Sequence, residues 1–162
     1  MAIQTLDTKI KDGANELDLV ITQFSATETV LFLNKLLSML SRAKSVPTEN
    51  IGLVKQAINN VMQTGVKAED VSEVRMELLG EEVFPMMIDV IKGAIAESSE
   101  DDQLIIMEKI LNQVKLRQAT EFIPLSLRSI DNYVSNGMTI YKICGAVIKF
   151  NFGFLLKGST SI

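Results

Sequence analysis

Catalysis calls for a proton shuttle, an activated nucleophile or a metal, and this chain is poor in all three. It contains no histidine, which excludes Ser-His-Asp and Cys-His catalysis and most transition-metal sites. Its single cysteine, Cys144, has no CxxC partner and stands in an apolar run. A thiol there packs as a small hydrophobe rather than reacting. One cysteine forms no intrachain disulfide, which favours a reducing compartment. Carboxylates cluster at Glu81-Glu82 and at Glu100-Asp101-Asp102. Neither group has the spacing of a calcium loop, and both fall where helix N-termini attract acids. Gly80, Gly93, Gly137, Gly145 and Gly153 are scattered singly, so no phosphate-cradling loop is read. The expectation is a protein that is not an enzyme and uses no metal and no cofactor.

Residues suited to holding another protein are easier to find. Methionine is frequent, eight in 162, with Met86 and Met87 adjacent. Flexible thioethers fill gaps in a helical core, and they also repack against varied apolar partners. Phe150, Phe152 and Phe154 place three of the seven phenylalanines within five residues. That cluster reads equally as core packing or as a partner or oligomer contact. With 16 basic and 20 acidic residues the net charge is -4. No Lys/Arg run offers the basic face that phosphates require, which argues against nucleic acid.

The elements that position these residues follow from periodicity. Residues 3–10 and 16–24 flank Asp12-Gly13, and Leu17, Leu19 and Ile21 alternate with Asp18, Val20 and Thr22. That is the pattern of a β-hairpin, with Ala14 and Asn15 lengthening its loop beyond two residues. Ser25-Ala26-Thr27-Glu28 has capping-box spacing and opens a helix running to about residue 43, with Val30, Leu33, Leu36, Leu37 and Leu40 as its stripe. Further helices are expected over 49–64, 68–79, 81–97 and 102–118, the last capped by Ser99 or Asp101. A short helix around Ile130 and Tyr133 precedes Asn136-Gly137, which turns into a final apolar helix.

That helix, Met138 to Leu156, carries only Lys142 and Lys149 as charges, seven apart and so on one side. Its other apolar residues predict burial on most of its surface, with fraying near Asn151 and Gly153. The lysines and Asn151 make a membrane-spanning role costly, and the polar N-terminus is no secretory signal. The expected fold is mainly α: a single helical domain of about six helices with a small N-terminal β-hairpin. Residues 1–24 form the hairpin and 25–157 the bundle.

Two stretches carry a resemblance. One is the hairpin leading into TQFSAT (22–27) and a leucine-rich helix. The other is VIKFNFGFLLKG (147–158), which follows SIDNYVSNG (129–137). Together they resemble the tail assembly chaperones of long-tailed bacteriophages. In that family a strand pair precedes a TQ-aromatic-x-A helix entry, and an apolar helix closes on an N-F-G/S-aromatic motif. Asn151-Phe152-Gly153-Phe154 matches the latter. The resemblance implies a partner, the tape measure protein, kept soluble in the bacterial host cytoplasm until the tail tube polymerises around it. It also implies a helix-in-groove contact to which Phe150, Phe152, Phe154, Met86 and Met87 contribute. The alternative is a virion structural protein or helical interaction module that forms a homo-oligomer.

Overall fold

The computed structural model describes residues 3–45, 47–52, 54–56 and 83–152, with side chains described for 89–151 of the last stretch. The chain divides into two compact units, one of residues 1–29 and 104–151, the other of 30–103 and 152–162.

The first unit is built on a four-stranded antiparallel sheet in the order β1-β2-β3-β4. Strand β1 is Thr5–Asp12, β2 is Asn15–Thr22, β3 is Val114–Gln118 and β4 is Glu121–Pro124. The N-terminal hairpin forms as its alternation predicts, but Asp12 pairs with Asn15, so the loop is only Gly13-Ala14. Gly13 takes φ 63, the left-handed setting that a type II′ turn requires at its first central position. On one face Leu19 pairs with Leu116 and Ile21 with Val114, and all four are buried.

The expectation of a mainly α fold is therefore corrected: the architecture is mixed α/β. The reason lies in residues 112–118, which do not continue the helix read over 102–118. The helix that begins at Glu100 ends at Leu111, after which Val114 and Leu116 alternate with Lys115 and Arg117. Such alternation buries one face of a strand, and β2 supplies the ladder through Val20 opposite Lys115. Pro124, read as a chain break, sits on edge strand β4, where a missing N–H is tolerated. The β3–β4 hairpin turns through Ala119-Thr120, with Ala119 held at φ 53.

Helix α1 (Ala26–Arg42) opens as expected. Glu28 N donates to Ser25 Oγ at 3.1 Å, and Ser25 N donates to Glu28 Oε1 at 3.1 Å. In the second unit α1 buries Phe32, Leu33, Leu36, Met39 and Leu40, while Val30 is exposed. Residues 48–52 and 54–56 are helical and bury Ile51 and Val54. The rest of the helix expected over 49–64, and all of that over 68–79, lie outside the described residues. Helix α2 is Val83–Glu97 and α3 is Glu100–Leu111. Ser99 caps α3, its Oγ accepting from Asp102 N at 3.2 Å. Asp102 then receives Lys35 and, at 2.8 Å, Arg42, both on α1. Glu97 accepts from Ser45 Oγ at 2.6 Å and from the amides of Lys44 and Ser45 at 2.6 and 3.0 Å.

A short 3-10 turn, Ile130–Asn132, leads to helix α4, Gly137–Phe152. Burial on α4 is graded around the helix. Thr139, Ile143 and Val147 form a single stripe spaced by four, whereas Tyr141, Lys142, Gly145 and Lys149 are exposed. Ile140, Cys144, Ala146, Ile148 and Phe150 flank that stripe half-buried, so cover extends beyond the one seam.

Candidate functional site

Two hydrogen-bonded joints fix α4 within its unit. At its start, Asp12 at the end of β1 is 2 % exposed and accepts four bonds. They come from Ser135 N (2.9 Å), Ser135 Oγ (3.1 Å), Asn136 N (3.1 Å) and Thr139 Oγ1 (2.8 Å). Asn136 Oδ1 in turn accepts from Met138 N at 2.9 Å, capping the helix. The carboxylate lies at the positive end of the α4 dipole. The Ser135 amide leads a set of donors that outweigh burial and hold Asp12 below its ordinary pKa.

At the other end, Asn151 Oδ1 accepts from Phe24 N at 2.8 Å, and its Nδ2 donates to Val147 O at 3.0 Å. The two joints are far apart on the helix. Sixteen helical residues span about 24 Å, and the eight of β2 span about 26 Å. Helix α4 therefore runs alongside the hairpin from its turn to its exit. Its stripe of Ile143 and Val147 shares a core with Leu17, Leu19 and Ile21.

The exit from β2 is braced by a third cluster. Gln113, 4 % exposed, donates through Nε2 to Glu28. Its carbonyl accepts from Thr22 N at 2.8 Å. Burial raises the Glu28 pKa, but bonds from the amide and hydroxyl of Ser25 and from Gln113 leave it below the ordinary value. On the sheet's outer face Arg117 reaches Asp7 at 3.2 Å and Asp18 at 3.7 Å, and lies 5.3 Å from the centre of the Phe122 ring.

None of these clusters pairs a nucleophile with a base. Burial pushes the Cys144 thiol up to about 11, so it is neutral and poorly nucleophilic at neutral pH. Among the described residues no group of three or more His, Cys, Asp or Glu is arranged to hold a metal. No helix of the described residues is long and apolar enough to cross a membrane.

The residues expected to bind a partner are placed unevenly. Phe150 is half-buried on α4 in the first unit. Phe152 ends α4, and Met86 and Met87 lie on α2, but these three side chains are outside the described residues. Phe154 is outside them altogether. Sequence reasoning read Asp12 as a turn residue and Asn151 as a poor helix former within the NFGF motif, and gave neither a hydrogen-bonding role. The available signal for Asn151 was its place in that motif, and its side chain bonds the phenylalanine of TQF.

Comparison with known proteins adds one finding. The family described as "Phage tail assembly chaperone protein, TAC" matches residues 15–160. No curated protein and no solved structure matches the chain.

Proposed function

The chain belongs to the phage tail assembly chaperone family, and from that premise we propose that it binds the tape measure protein and keeps it soluble until the tail tube polymerises around it. The family match carries this reading. On this reading the work is done in the cytoplasm of the infected bacterium, by a binder and not by an enzyme. A long helical client exposes apolar stripes before enclosure, and a helix-bearing protein can shield them by helix-in-groove contact. The client must later be released, so many modest contacts serve better than one very tight site.

The joints at Asp12 and Asn151 are consistent with a binding role. They hold a rigid helix whose outward side remains free, which suits docking better than chemistry. The test is co-expression with the tape measure protein of the same phage, followed by fractionation and pull-down. Soluble tape measure protein in a complex, with this chain missing from purified virions, is the expected result. Insoluble, unbound tape measure protein together with this chain in mature particles refutes it and favours a structural subunit.

A further inference from the structure

We propose that the outward face of α4 docks a helical segment of the tape measure protein bearing carboxylates about two turns apart around small or apolar residues, an inference that rests on the function proposed above. Met138, Tyr141, Lys142, Gly145 and Lys149 follow one another at steps of three, one, three and four, so they make one continuous face. All five are exposed, with Tyr141 at 74 % and Met138 at 62 %. These two anchors stand in water on a helix that already has a complete buried seam on its other side.

Gly145 sits between Lys142 and Lys149 in mid-helix. A Cβ built there meets nothing within 4 Å, so no neighbour within the fold demands glycine. Glycine weakens a helix interior relative to alanine, and its use is to let another backbone approach closely. The charges point to the occupant. Helix α4 contains no Asp or Glu, and neither Lys142 nor Lys149 is ion-paired among the described residues. Two unpaired cations on one face of a chain with net charge -4 complement an acidic segment. Two cations are too few for a nucleic acid backbone, and two large apolar side chains are a thin anchor for a bilayer surface.

The test uses the full chain co-expressed with the tape measure protein and three variants. Gly145→Leu places a better helix former in α4 and blocks close approach. It is expected to keep or raise the thermal midpoint while weakening capture roughly tenfold or more. Lys142→Glu/Lys149→Glu is expected to weaken capture by a similar factor, and wild-type capture to fall as salt is raised. Lys115→Glu, on the outer face of the sheet, leaves capture unchanged. Equal capture by wild type and both α4 variants overturns the inference while leaving the proposed function standing. No capture by the wild type removes both. Loss of a wild-type dimer in sedimentation, with capture intact, reassigns the face to a second copy and overturns the inference. Loss of binding to anionic phosphatidylglycerol vesicles, with capture intact, reassigns it to lipid and overturns it equally.

Discussion

Replacing Asn151 with alanine tests the joint that ties the end of α4 to the start of α1. The substitution removes the acceptor of the Phe24 amide, a 2.8 Å bond in a partly buried setting. Losing one intramolecular hydrogen bond of this kind costs about 0.5–1.5 kcal/mol net. The bond from Asn151 Nδ2 to Val147 O is also lost, but a carbonyl inside a helix has a backbone donor as well, so the added loss is small. Against this, alanine improves helix propensity by up to roughly 0.7 kcal/mol, and by less so near a helix end. The lost hydrogen bonds win, leaving a net loss of about 1 kcal/mol, or about 2–4 °C in thermal midpoint for a chain of this size. The chain has no tryptophan and two tyrosines, so urea unfolding followed by circular dichroism at the helix band is the better probe. Hydrogen exchange at the Phe24 amide reads the same bond locally and should accelerate in the variant. Asn112→Ala, at an exposed side chain, is the control and should change stability by no more than about 0.5 kcal/mol. A variant at Asn151 that matches this control, with Phe24 exchange unchanged, refutes the reasoning.

Further outcomes can be checked on the same chain. Leu19, at 0 % exposure in the middle of the sheet, should lose about 2–5 kcal/mol on substitution by alanine, read by urea midpoint. Ala119 at φ 53 carries left-handed strain, so Ala119→Gly should be neutral to about 1 kcal/mol stabilising despite the added unfolded-state entropy. Asp12, Glu28, Glu97 and Asp102 all have lowered pKa values. Their contribution is complete above the ordinary values of 4.5 for Glu and 3.8 for Asp and is lost as pH falls through the lower native ones. Acid titration of stability should therefore be shallower in Asp12→Asn than in wild type. Cys144 has the opposite sign: its pKa is raised from 9.0 to about 11, so its contribution is present below pH 9.0 and fades as pH rises towards 11. Iodoacetamide at pH 8 should label it slowly in the native chain and fast in urea.

Local sequence determined the elements whose signals are short-range and self-contained. Gly13 could take the left-handed turn setting, and Leu17, Leu19 and Ile21 alternated over enough residues to specify a hairpin. Ser25 and Glu28 satisfied each other's amides within one turn, so the start of α1 needed no other part of the chain. The lysines of α4, seven apart, were correctly placed on one exposed side. Tertiary structure alone decided the second hairpin. Val114 extends the stripe of the preceding helix as well as it begins a strand, and the alternation that follows covers only five residues. What selected the strand was the neighbouring β2, whose backbone groups pair with β3 and whose Leu19 and Ile21 cover Leu116 and Val114. The roles of Asp12 and Asn151 were hidden for the same reason. Their partners lie more than 120 residues away, and a hydrogen bond across that separation leaves no periodic trace in the chain. Such groups become specific only when folding removes the water that would otherwise have satisfied them.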